Sequence, residues 1–159
     1  MGSRSKIHEA YIAGFLDGDG SLMLQLKKRS DTARGYRFMT TICLYQDTRH
    51  EEHLLWMRQY FGIGYVSKRN DGISELRVNG FTQCKRVLEQ LIPHIRFKKV
   101  QANNMYKACV LLEKIPFKNL TKKQLEILVS YMVAIQNANY VTKYKRTKAE
   151  LYEVLGLTP

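Results

Sequence analysis

The run Ile12-Ala13-Gly14-Phe15-Leu16-Asp17-Gly18-Asp19-Gly20 constrains this chain more than any other stretch of it. Its apolar positions suit a helix, while Gly18 and Gly20 suit one poorly, so a first helix is expected over residues 7–16, behind a tail of residues 1–6. Ala10, Ala13 and Gly14 form a strip of small side chains on that helix, on which a second helix could pack backbone to backbone. Asp17 and Asp19 then arrive at the helix C-terminus, where the peptide dipoles already place negative charge. A cation or several hydrogen-bond donors must compensate, and a hard divalent ion held by carboxylate and carbonyl oxygens would do so. The Asp-Gly-Asp-Gly string alone is common in loops. An EF-hand loop is excluded, because Leu22 and Lys28 stand where that motif needs Gly and Glu.

The rest of the chain reads as strands and helices in regular order. Strands are expected over 21–29 and 37–45, and the second alternates. Phe38, Ile42 and Leu44 share one face, while Arg37, Met39, Thr41, Cys43 and Tyr45 share the other. Thr48 and Glu51 have capping-box spacing, which predicts a helix to Phe61 that ends at Gly62 and offers Leu54, Leu55 and Phe61 to the core. A hairpin follows over 63–69 and 73–78 around Asn70-Asp71-Gly72, then a helix over 81–92 before Pro93. Further helices are expected over 99–114, over 121–136 behind a capping box of Thr121 and Gln124, and near 147–154. An α+β fold results, with a four-stranded antiparallel sheet that has helices on one face and is open on the other. Residues 7–155 read as one domain.

Charge says what an open face could meet. Lys and Arg number 26 against 14 Asp and Glu, a formal charge of +12, and the pI is near 9.7. Nucleic acid is the commonest partner of such a chain, whereas a membrane surface would call for a basic amphipathic helix or a lipidation signal. Cys43, Cys84 and Cys109 are odd in number and widely spaced, which suits reduced thiols inside a cell rather than disulfides or zinc. His50 and His53 lack partners at metal-ligand spacing. No stretch reaches the length of a membrane span.

Residues 12–20 resemble the signature of the LAGLIDADG homing endonucleases, with Ala13, Gly14, Asp17, Gly18, Asp19 and Gly20 in the motif's places. The likeness extends to Gly62-Ile63-Gly64-Tyr65-Val66 and Lys98-Lys99-Val100-Gln101-Ala102-Asn103, as in the single-motif, intron-encoded branch. The resemblance implies the αββαββα saddle with additional C-terminal helices. It also implies a homodimer joined at the motif helix, and site-specific, metal-dependent cleavage of double-stranded DNA at a long pseudo-palindromic target, leaving short cohesive ends. By the same resemblance Asp19, with the Gly18 carbonyl, holds metal; Asp17 is structural; and Lys98 and Gln46 complete the catalytic set. Either Arg49 or His50 stands at a further basic position, or neither serves there. Mg2+ is the implied ion, with Mn2+ a substitute and Ca2+ binding without efficient cleavage.

DNA contacts are expected from the open face, since an antiparallel ribbon fits the major groove. The candidates are Gln25, Lys27 and Arg29; Arg37, Met39, Thr41, Cys43 and Tyr45; and Ser67, Arg69, Glu75 and Arg77. Lys143, Lys145, Arg146 and Lys148 read as a phosphate clamp. Two other readings are an RNA-binding intron maturase and a DNA-binding module without cleavage. Asp19, Gln46 and Lys98 together speak against the latter. An organellar location would accompany an intron-encoded member.

Overall fold

The computed structural model describes residues 2–139 and 144–158. Helix α1 (Gly2–Asp19) leads into β1 (Gly20–Lys28), β2 (Tyr36–Asp47) and α2 (Glu52–Phe61). The hairpin β3 (Tyr65–Lys68) and β4 (Ile73–Asn79) precedes α3 (Phe81–Leu91), α4 (Lys99–Lys114), α5 (Lys122–Ala138) and α6 (Lys148–Val154). The strands form one antiparallel sheet in the order β1-β2-β4-β3, so both hairpins meet along β2 and β4. The α+β architecture expected of the sequence is the one observed.

The helix-side face of the sheet is made by alternate residues: Leu22, Leu24 and Leu26 on β1, Phe38, Ile42 and Leu44 on β2, and Leu76 and Val78 on β4. These pack with Ile12 and Leu16 of α1, Leu88 and Leu91 of α3, and Met105 of α4 in one core. Each such side chain contributes about 1.5–3 kcal/mol on burial.

Three local expectations are corrected. First, α1 starts at Gly2 and runs to Asp19, so residues 2–6 are helical rather than a tail. Tertiary contacts hold that early turn: the Ser5 hydroxyl bonds the Glu9 carboxylate and the Tyr60 hydroxyl, each at 3.0 Å, and His8 packs edge-on against Trp56 and Tyr60. Second, the Thr48–Glu51 capping box does not form. Residues Thr48–His50 make a 3-10 turn capped by the Asp47 carboxylate. Ser74 of β4 engages both would-be capping side chains, at 3.0 Å to the Thr48 hydroxyl and 2.8 Å to the Glu51 carboxylate. Third, Leu55 is exposed, and Met57 enters the core with Leu54 and Phe61 instead. The box at Thr121 and Gln124 does form, and Gly62 ends α2 in the left-handed conformation as its position implied.

Candidate metal and nucleic-acid site

The motif helix reaches β1 by a turn so tight that a Cβ on Gly20 would lie 2.8 Å from the Leu16 carbonyl oxygen. The helix end is compensated from within the chain. Asp17 Oδ2 accepts the Arg96 amide at 2.8 Å and Oδ1 accepts the Lys98 amide at 3.0 Å. Lys98 turns its ammonium back to donate to the carbonyls of Leu16, at 3.0 Å, and Asp17, at 2.5 Å. That cation sits where the dipole is most negative, which lets the helix continue through Gly18. Burial lowers the Lys98 pKa below the usual lysine range, opposed by the charges of Asp17 and Asp19.

Asp19 is left over. It is exposed, and among the described residues nothing hydrogen-bonds or ion-pairs with it. Gly18, before it, is also exposed. Oxygen ligands of this kind suit a hard divalent cation. No group of three His, Cys, Asp or Glu that could hold a metal gathers among the described residues, so the donor set fits as half of a site that a second carboxylate and phosphate oxygens would complete. Gln46 lies beside this junction: Gly20 pairs with Leu44, and Gln46 is the second residue past it on β2. Its side-chain oxygen accepts the Asp47 amide at 2.8 Å. Arg49 and His50 are both exposed, and Arg49 is held by Asp47 through two side-chain hydrogen bonds of 2.9 and 2.8 Å.

The small-residue strip divides in two. Ala10 and Gly14 are exposed, and a Cβ on Gly14 or Gly18 would meet nothing within 4 Å among the described residues beyond its own helix turn. Ala13 is fully buried, which corrects its assignment: it packs inward with Ile12 and Leu16, because a helix turns 100° per residue and carries it off the Ala10–Gly14 line. Ile7 and Tyr11 extend the exposed strip upstream.

On the open face of the sheet, Lys27 and Arg37 are exposed partners across β1 and β2, with Gln25 paired to Met39 beside them. Thr41 and Cys43 share this face but not its surface, being 2% and 0% exposed. Cys43 lies below Tyr45 and Arg77, and the Thr41 hydroxyl donates to Asn79 Oδ1 at 2.8 Å. Both are thereby corrected from readers to floor of the face. Tyr45 is pinned to the Ser21 hydroxyl at 3.0 Å, and Ser67 pairs with Glu75 across the hairpin. Ser21, Met23, Tyr65 and Asn79 also face this side and were missed, although continuing the alternation through 21 and 23, 65, and 79 would have found them.

Among the described residues, four arginines are joined to a carboxylate two residues away: Arg29 to Asp31, Arg49 to Asp47, Arg69 to Asp71 and Arg77 to Glu75. Arg29 and Arg69 lie just beyond the ends of β1 and β3. Glu75 is nearly buried, and its hydrogen bond is the main cause that raises the Arg77 pKa.

Of the C-terminal cations, Lys145 and Arg146 are half-buried and Lys148 is exposed with its ammonium 5.2 Å from the Tyr152 ring. Arg146 lines a cleft of about 620 Å³ along β1 with Lys27, Gln136 and Tyr144. Lys143 lies outside the described residues.

Comparison with known proteins gives a consistent result. The family model described as LAGLIDADG endonuclease matches residues 12–109. DNA endonuclease I-CvuI of Chlorella vulgaris is 35% identical over 107 residues, covering 67% of this chain and 65% of that protein. DNA endonuclease I-CreI of Chlamydomonas reinhardtii is 30% identical over 106 residues, covering 67% and 63%. The matched segment thus spans just under two thirds of each relative. Among solved structures, I-CvuI in complex with the I-CreI target in 2 mM Mg, its DNA not cleaved, superposes with a TM-score of 0.81 at 26% identity, covering 96% of this chain and 95% of that one. I-CvuI with its own target in 2 mM Ca gives 0.79 at 27% identity over 96% and 95%.

Proposed function

Because the chain belongs to the LAGLIDADG endonuclease family, we propose that it is a homodimeric, site-specific endonuclease that hydrolyses both strands of a long, pseudo-palindromic DNA site. The carrying observation is the exposed, unengaged Asp19 carboxylate at the end of a helix whose outer face is empty over Gly14 and Gly18. Two such helices crossing at the small residues would bring two Asp19 carboxylates together, each needing positive charge more than one alone does.

Asp19 and the Gly18 carbonyl would hold the divalent cation, Mg2+ in this reading with Mn2+ as a substitute. When bound, such an ion lowers the pKa of water and neutralises charge on a phosphodiester. The chain's own contribution is placement. Asp19 fixes the acidic ligand relative to the sheet, because Gly20 passes directly into β1. Lys98 holds a positive charge at the same helix end, where it can stabilise a phosphate oxygen. Gln46 offers an amide beside the junction to orient solvent. Lys27, Arg37 and Arg77 would present donors to base edges and phosphates from the open face, and Lys145, Arg146 and Lys148 would clamp phosphates. Relatives named as DNA endonucleases favour this reading over RNA-assisted splicing. The organellar setting of an intron-encoded enzyme belongs to the same proposal.

Incubating the purified chain with a randomised plasmid library and Mg2+ tests it. Recovered sites with two-fold symmetry and short cohesive ends are expected. A chain that cuts no library member while remaining folded and DNA-bound would overturn it.

A further inference from the structure

Resting on the reading of Lys98 as an active-site cation, we propose that Asp17 is a positioning residue that sets where the Lys98 ammonium stands. The two residues are joined at both ends. The Asp17 carboxylate receives the amides of Arg96 and Lys98, and the Asp17 carbonyl receives the Lys98 ammonium. Lys98 precedes α4, where φ is −99° and ψ is 29° and no side chain of its own caps the helix. Without the carboxylate, nothing among the described residues would hold that amide, and the side chain would start from a different backbone direction.

The segment is otherwise anchored independently. Ile95 is buried in the core, and His94 lies 3.6 Å from the Glu9 carboxylate. Losing Asp17 therefore frees the Lys98 end of the strap without detaching the strap itself. Two of the three ammonium donors are engaged on α1; the third remains for a ligand at the helix end. Asp17 thus serves the site through Lys98 while its own carboxylate is taken up by the Arg96 and Lys98 amides, a division that explains two aspartates so close together with only one free.

The test compares the full chain with Asp17→Asn, Asp17→Glu, Lys98→Met and the Asp17→Asn/Lys98→Met double variant. Single-turnover cleavage in Mg2+ and DNA affinity in Ca2+ are measured on each. Amide exchange at Arg96 and Lys98 and the 15N shift of Lys98 Nζ are measured without DNA. Asp17→Asn is expected to slow kcat by on the order of ten- to a hundredfold, the scale of a lost charge-assisted hydrogen bond. Affinity should stay within about threefold, the Arg96 and Lys98 amides should lose protection, and the Nζ signal should shift. Asp17→Glu should recover part of the rate, and the double variant should be no slower than the slower single one. Independent, multiplying effects, or an unmoved Nζ signal in Asp17→Asn, would overturn the proposal. If the unmutated chain cleaved nothing, the functional reading would fall, while the amide and Nζ signals would still decide whether Asp17 places Lys98.

Discussion

Arg77 is tethered to Glu75 across one strand repeat, Nη1 to Oε1 at 2.9 Å, on the face of the sheet opposite the helix-packed core. Glu75 is 9% exposed, so the guanidinium is held by an anchor that solvent hardly reaches. Its remaining donors form a preset fork of the kind that matches guanine O6 and N7. Arg77→Ala should relax the preference for one base at a single pair of symmetry-related positions by roughly 1–3 kcal/mol. Selection of cleaved or bound sites from a library measures this; a loss of affinity equal for all sequences would assign Arg77 to phosphate instead.

Asp19→Asn removes the acidic ligand and leaves the groove contacts in place. Cleavage should fall by at least about a thousandfold, whereas DNA affinity in Ca2+ falls far less. Parallel cleavage and gel-shift titrations check both halves, and substantial cleavage by the variant would remove Asp19 from the proposed site.

Gly14 separates folding from assembly. A Cβ there meets nothing within 4 Å among the described residues beyond its own helix turn, and replacing Gly inside a helix gains about 0.5–1 kcal/mol of propensity. Gly14→Leu should therefore fold at least as well as the parent yet hold two α1 helices apart. Sedimentation should find a monomer at concentrations where the parent is dimeric. A variant that remains a tight, active dimer would move the subunit contact elsewhere.

Gly20 behaves in the opposite way. A methyl group there would press on the Leu16 Cα at 2.9 Å and carbonyl oxygen at 2.8 Å. Gly20→Ala should destabilise the fold by roughly 1–3 kcal/mol, a fall of about 2–4 °C in Tm for each kcal/mol in a chain of this size. Calorimetry on the two glycine variants side by side makes the contrast visible.

The thiols supply a pH-dependent test. Burial pushes the Cys84 thiol up to about 11 and Cys109 up to about 12, and Cys43 is also raised, chiefly by burial. All three are free and buried. Alkylation at pH 8 should be negligible in the folded chain, rising only when denaturant exposes ordinary thiols. Rapid labelling of Cys43 alone would show that the floor of the sheet face opens in solution.

The alternation of Phe38, Ile42 and Leu44 against Met39, Thr41 and Cys43 was enough to assign β2 its two faces, because side-chain period is set by the backbone. Depth is a different quantity. That Cys43 lies beneath Tyr45 and Arg77 depends on neighbours brought in by strand pairing, which no local pattern encodes. The failed capping box has the same origin: Ser74, more than twenty residues away, outcompetes a local hydrogen bond. Likewise the early turn of α1 depends on Tyr60 and Trp56. Among the candidate site residues, the motif marked Asp19 out, while the partner that absorbs Asp17 became visible only when residues 96–98 were folded against it.

The arginine–carboxylate pairs bear on how such a protein would search. A guanidinium already paired with Asp31, Asp71 or Glu75 gains less from an arbitrary phosphate than a bare one, because the carboxylate offsets part of its charge even though N–H donors remain free. Time spent on wrong sequences is thereby shortened, while a site that offers two well-placed acceptors still captures the fork. Under the proposed function, these pairings temper the residence on DNA that the +12 charge of the chain sets.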